Sequence, residues 1–389
     1  MKALCWNGKQ TLGVERVPDP AILAPEDVIL RVHLSSTCGS DMHQINGLVV
    51  TMMPGDILGH EFMGEVVEVG PEVKKIKKGD RVVVPSVIGC GRCHYCETDQ
   101  WSLCDNSNTH RQPQELMLGS TTAGIFGYSH AFGGYAGSHA EYVRVPYADW
   151  GAFVVPEGVT DEQAVFVSDA VPTGWMAAEY ANIKDGDVVA VFGCGGVGQM
   201  AIRGAFTMGA SRVIAIDRIP ERLELAAKAG AEPLSADTDD IQSVLKDMTG
   251  GRGPDSVIDA VGMEADSPKA FEDFYDKAKQ FFRLTYDRPT VLRHAIMACR
   301  KGGTVSVAGV YFGLLDKIPL GAAMNKGLTI RGGQQPGQKF VPSLFEHILA
   351  GRLDPSELLS RRVSLDEGPE AYRRFTEREE LRPVFDPRL

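Results

Sequence analysis

Apolar residues fall in short runs between glycines and charged positions, and the clearest run marks a strand. VVAVF at Val188–Phe192 is continuously apolar, as a strand buried on both faces of a parallel sheet requires. The longer stretch DVVAVFGCGGVGQMAIRGAFTMGASRVIAID predicts strand, glycine turn, helix and a second strand at 213–216 that ends in Asp217. The alternation continues with DSVIDAVG, placing Asp259 at a strand end, and with the apolar strand of KGGTVSVAGVY. Right-handed crossovers between such units give an α/β, doubly wound parallel sheet. Apolar runs of the ~18 residues needed for a membrane span are absent. The start, MKALCWNGKQ, lacks the apolar core of a signal peptide, so neither membrane insertion nor secretion is expected.

The 389 residues predict two or three domains, and 40 Lys+Arg against 51 Asp+Glu leave a net charge of −11. An acidic chain without a dense basic run makes a poor nucleic-acid surface. A cytoplasmic protein is the expectation.

The glycine turn carries chemistry. Gly193, Gly195 and Gly198 form G-x-G-x-x-G at the strand end, with Gly196 and Val197 between them. The first glycine permits the turn, the second lets a pyrophosphate approach, and the third lets helix pack on strand. The helix N-terminus then offers free N–H groups to phosphates. Asp217, nineteen residues past Gly198, would bind ribose hydroxyls and repel a 2′-phosphate, which favours NAD. Arg218 beside it weakens that preference.

Four of the eight cysteines, Cys90, Cys93, Cys96 and Cys104, lie in GCGRCHYCETDQWSLC. The C-x2-C-x2-C-x7-C spacing lets one loop surround a zinc ion with four thiolates. A ferredoxin-type cluster needs C-x2-C-x2-C-x3-C-P instead. With four protein ligands the site is closed and structural. Cys38, His60 and Asp169 are zinc-ligand types that would leave one position open. Each also has a plainer reading: a small buried hydrophobe, a core histidine and a helix cap. Spacing alone does not join these three.

Gly59-His60-Glu61 with Gly64, Gly70 and Val73 reproduces G-H-E-x2-G-x5-G-x2-V, and the four-cysteine loop and dinucleotide unit follow in order. On these motifs the whole chain resembles the zinc-containing medium-chain alcohol dehydrogenases. Asp169, CGSDMH, AEYVRVPYADW and DAVGMEA are most similar to the glutathione-independent formaldehyde dehydrogenase branch. The resemblance implies a GroES-like β-barrel catalytic domain from 1–169 and 335–389, and a Rossmann coenzyme domain at 170–334. It places the active site in the cleft between them and implies two zinc ions per chain. Cys38, His60 and Asp169 match the catalytic-zinc ligands, with Asp169 replacing the commoner cysteine.

By the same resemblance Ser40 and His43 match a proton relay that runs through the cofactor ribose, and Asp41 orients His60. Glu61 matches a carboxylate behind the zinc. Gly39 stands where liver-type enzymes carry an arginine on the pyrophosphate. Arg222 matches a basic residue near the adenosine ribose, and Val261 follows the strand beneath the cofactor. Ser40 and Asp41 also suit simple helix caps, and His43 a solvated helix position. His94, His110, His130 and His139 are expected as surface or pocket residues, and Cys5, Cys194 and Cys299 as small hydrophobes.

The function implied is hydride transfer between NAD and a primary alcohol, aldehyde or aldehyde hydrate, in a homodimer or homotetramer. A polyol or threonine dehydrogenase is the alternative within the family, and a non-catalytic NAD-binding protein the alternative outside it. Residues 264–289 have no counterpart in the common family pattern. Phe271, Phe274, Tyr275, Phe281 and Phe282 recur there at near-helical spacing. They suit a surface helix, a cover over bound NAD or a subunit contact.

Overall fold

A computed structural model describes residues 1–49, 51–238, 240–264, 289–311 and 315–389. The expectation for residues 264–289 thus falls almost wholly outside the described residues. The chain divides into two compact units, Met1–Pro172 with Gln335–Leu389, and Thr173–Gln334.

The first unit is antiparallel in the main. Val28–Ser36 and Glu61–Val69 pair along nearly their whole length at the centre of a seven-stranded sheet. Register shifts at Ile29/Leu30 and Val32/Leu34 bend the pair, because a bulge adds local twist and lets a sheet curl. Strand alternation sends Val28, Leu30, Val32, Phe62 and Val66 into one core with Val82, Val84, Val143 and Val145. From the far end of the chain, Pro383–Phe385 adds itself antiparallel to Val28–Ser36. The unit is therefore closed by residues from both termini.

The second unit holds a six-stranded sheet in which every pairing is parallel. Numbered within the unit, its strands lie in the order 3-2-1-4-5-6, the doubly wound arrangement that binds dinucleotides where the order reverses. Val188–Phe192 is the first strand and sits at that reversal, between Arg212–Asp217 and Ser256–Asp259. Buried on both faces, it packs alternate residues into two separate clusters. Its continuous apolar run follows from that position. Among the described residues no helix is long and apolar enough to cross a membrane.

Candidate active site and zinc centres

The four-cysteine loop begins as the strand Val87–Ile88 ends. Cys93 opens the single-turn helix His94–Glu97, and Cys104 closes the turn Trp101–Leu103. All four sulfurs are buried and lie within 4.8 Å of one another. Cys93 and Cys96 stand 3.5 Å apart, Cys93 and Cys104 3.9 Å, and Cys90 and Cys96 4.0 Å. A tetrahedron of thiolates at the usual Zn–S bond has edges of about 3.8 Å. The backbone N–H groups of Cys90 and Asn106 both donate to Cys104 Sγ at 3.4 Å, and the Asn106 side chain donates to Cys90. Donors aimed at sulfur favour the thiolate. A hydrogen bond from Cys96 pulls Cys104 down to about 4 and pushes Cys96 up. The residues fit a zinc ion.

The second cluster gathers Cys38, His60 and Glu61, whose ligand atoms also lie within 4.8 Å of one another. Cys38 follows the strand Val28–Ser36, and His60 precedes the strand Glu61–Val69. The longest pairing in the fold thus presents both at one strand end. His60 Nε2 faces the Ser40 hydroxyl at 3.2 Å, and its Nδ1 lies 3.2 Å from Asp41 Oδ1. Burial would raise the Asp41 carboxyl, but His60 and Tyr372 hold it at about 2. Asp41 Oδ2 also accepts the Cys38 N–H at 2.8 Å, so one carboxylate braces both candidate ligands.

Glu61 is fully buried, and Arg382 donates to its Oε1 at 2.8 Å. Its Oε2 is buried without a hydrogen-bond partner among the described residues. An orphaned carboxylate oxygen beside a thiol and an imidazole is a donor set that suits a divalent cation. Burial pushes Glu61 up to about 7 against the pull of Arg382.

Asp169 lies between the turn Val165–Ser168 and the helix Ala170–Tyr180. It is buried and close enough for its charge to raise Glu61, yet it stands outside the 4.8 Å group. Its Oδ2 accepts the hydroxyl proton of Ser86. The expected trio is therefore brought together as a pair, with Glu61 beside it and Asp169 tied one step away.

Ser40 and Asp41 lead into the helix Asp41–Ile45, and the Ser40 side chain makes no cap hydrogen bond. His43 is buried rather than solvated, and burial lowers it to about 4. Gly39 is half-buried at the same turn. His139 corrects another expectation. It is fully buried, accepts from Ser35 at 2.7 Å and contacts the Tyr372 hydroxyl at 2.7 Å. Tyr372 in turn donates to Asp41 at 2.7 Å. Arg382, Tyr372 and Ser86 carried no sequence signal, since nothing local marks a side chain whose partner lies 83, 321 or 331 positions away.

In the second unit Gly193 has φ +88°, and a Cβ there would strike Val261. A Cβ on Gly198 would overlap the Gly193 carbonyl, so helix Gly196–Thr207 could not seat against the strand. Gly195 caps that helix, with Gly196 and Val197 as its first residues. The face of Gly195 is open, and Arg222 Nη1 lies 3.9 Å from where its Cβ would stand. Bare N–H groups beside a guanidinium suit a pyrophosphate. Asp217 braces the glycine turn: its Oδ2 accepts from Cys194 N at 2.6 Å, and its Oδ1 from Arg218 N and Ile219 N. Arg218 is paired to Asp237 at 2.8 Å.

A GroES-like antiparallel unit bearing two zinc-type clusters, together with a doubly wound nucleotide unit, defines a zinc-binding dehydrogenase. Residues 24–157 match the alcohol dehydrogenase GroES-like domain, and residues 196–280 match the zinc-binding dehydrogenase domain. The chain is 38% identical over 376 residues to an uncharacterized zinc-type alcohol dehydrogenase-like protein, AdhB, of Bacillus subtilis, covering 96% of each chain. It is 32% identical to the glutathione-independent formaldehyde dehydrogenase of the same organism, over 99% of this chain and 97% of that one. The solved alcohol dehydrogenase TADH from Thermus sp. ATN1 superposes with a TM-score of 0.84 at 33% identity, over 99% of both chains. The chain belongs to the zinc-containing medium-chain alcohol dehydrogenase family, and it is an oxidoreductase of that family.

Proposed function

We propose that the chain is an NAD-dependent dehydrogenase of primary alcohols, aldehydes or aldehyde hydrates. In this reading Cys38, His60 and Asp169 hold a catalytic zinc, while Cys90, Cys93, Cys96 and Cys104 hold a structural one. The observation that carries it is the pair Cys38 and His60, both braced by the buried carboxylate of Asp41. A binding module has no use for such a brace.

When bound, the zinc supplies a Lewis acid that favours the deprotonated substrate oxygen, and NAD supplies the hydride acceptor. The chain's own groups do the rest. Cys38 and Asp169 contribute two negative charges against the cation's 2+, and Arg382 offsets the third anion, Glu61. Ser40, beside His60, is the first hydroxyl placed to take the substrate proton. His43, held neutral by burial, is available to receive it. Asp217 supports NAD over NADP, and the neighbouring Arg218 is engaged by Asp237 at 2.8 Å.

The edge strand Thr329–Gly332 is exposed at every residue and pairs with Thr304–Val307. Ile330, Leu320 and Met324 are exposed nearby in sequence. An open strand edge supports self-association into a dimer or tetramer. Cysteines outside disulfides, five of them read as zinc ligands, suit a reducing, cytoplasmic compartment.

The test is a screen of formaldehyde, primary alcohols, polyols and aromatic aldehydes, followed by NADH absorbance. Turnover of the one-carbon and primary substrates is expected. Turnover of polyols alone would favour the polyol alternative, and no turnover by fully zinc-loaded protein would favour a non-catalytic role.

A further inference from the structure

We infer that Asp259 and Tyr311 are positioning residues for the nicotinamide half of the dinucleotide, because together they fasten the two strand-end turns left to carry it. The inference deepens the NAD reading and rests on it. In a sheet of order 3-2-1-4-5-6 each half takes one mononucleotide, outside the carboxyl ends of its strands. Asp217 ends the second strand of the unit, so adenosine belongs to the first half. The turns after Ser256–Asp259 and Thr304–Val307, across the reversal, fall to the nicotinamide half.

Asp259 is the last residue of its strand and is fully buried. Its Oδ1 accepts from the Val261 and Gly262 N–H groups, each at 3.0 Å, which folds the turn back on the strand end. Val261 is thereby held against the glycine turn, where its side chain leaves no room for a Cβ on Gly193. The neighbouring turn approaches backbone to backbone. A Cβ on Gly309 would overlap the Gly262 nitrogen, and the Met263 N–H donates to the Val310 carbonyl at 3.1 Å. Tyr311 completes the arrangement by donating its hydroxyl proton to Asp259 Oδ2 at 2.6 Å. Burial pushes the Asp259 carboxyl up and its three donors pull it down, so Tyr311 helps to keep it an acceptor. The strands themselves pair through their backbones and do not need this link. What one carboxylate sets is the placing of both turns beyond the strand ends.

The test titrates NADH and AMP separately into zinc-loaded wild type, Tyr311→Phe, Asp259→Ala, Asp259→Asn and the double variant Tyr311→Phe/Asp259→Ala, by calorimetry. AMP carries the adenosine half alone. Tyr311→Phe should weaken NADH about 10-fold and AMP less than about twofold. Asp259→Ala should repeat that pattern, and Tyr311→Phe should then add less than about twofold, since the hydroxyl has no carboxylate left to hold. Asp259→Asn should restore NADH binding to within about threefold, because its oxygen keeps both N–H bonds and its amide can donate to the tyrosine oxygen. Should Asp259→Ala fail to fold, the ratio of the two losses in Tyr311→Phe decides alone. Unchanged NADH binding in Tyr311→Phe, equal losses of NADH and AMP, or additive losses in the double variant would overturn the inference. If wild type binds neither ligand, the NAD reading itself fails, and the inference with it.

Discussion

Tyr372 donates its phenolic hydrogen to Asp41 Oδ2 at 2.7 Å, across 331 positions of sequence. Because that hydrogen goes to Asp41, the tyrosine oxygen accepts from His139 Nε2, and His139 Nδ1 accepts from Ser35. Donation along Ser35–His139–Tyr372 therefore has one direction and ends on Asp41, whose other oxygen lies 3.2 Å from Nδ1 of the His60 ring proposed to bind zinc. Tyr372→Phe removes one hydroxyl and little volume. The expected result is a loss of about 10-fold in zinc affinity at the Cys38 centre. Chelator competition checks it, and the four-cysteine zinc should be retained.

His139 also sets a pH dependence. Burial holds it neutral down to about 4, whereas an unfolded histidine protonates near 6.5. Between these values the unfolded state binds the extra proton, so stability falls as pH drops from about 6.5 to about 4 and levels off below. His139→Gln should take up about one proton fewer on unfolding across that window. Denaturant midpoints at a series of pH values measure it. Equal slopes in the two proteins would contradict the assignment.

Gly198→Ala places a methyl group against the Gly193 carbonyl. Helix and strand must separate to admit it, at a cost of roughly 1–3 kcal/mol. The phosphate-facing turn shifts with them. Weaker NADH binding by fluorescence titration and a lower melting temperature are both expected, with the zinc content unchanged.

Asp217→Asn removes the charge and also gives up the backbone N–H bonds on one side, because its amide nitrogen cannot accept. The preference for NADH over NADPH should narrow by about tenfold, equivalent to about 1.4 kcal/mol. Competitive binding of the two cofactors checks this. A preference that does not move would assign selectivity to another residue.

What the sequence revealed depended on the range of the interaction. The strand Val188–Phe192 and its glycine turn were legible because burial on both faces and a tight turn are local demands on residue type. The four-cysteine loop was legible for the same reason, since surrounding one ion would bound the reach of the fifteen residues from Cys90 to Cys104. His139, expected at the surface or in a pocket, is fully buried, and nothing local distinguishes these positions until Tyr372 and Ser35 are brought beside it. Asp169 could be aligned to a ligand position by resemblance, but its hydrogen bond to Ser86 and the nearness of Glu61 are products of tertiary packing. No local pattern encodes them.

Cys38, His60 and Asp169 are proposed to hold one zinc ion together. Anomalous diffraction at the zinc absorption edge, from crystals of the zinc-loaded protein, tests it most directly. One peak is expected inside the four-cysteine loop. A second peak should lie within bonding distance of Cys38 Sγ, His60 Nε2 and an oxygen of Asp169. A second peak bonded to Glu61 and not to Asp169, or no second peak at all, would contradict it.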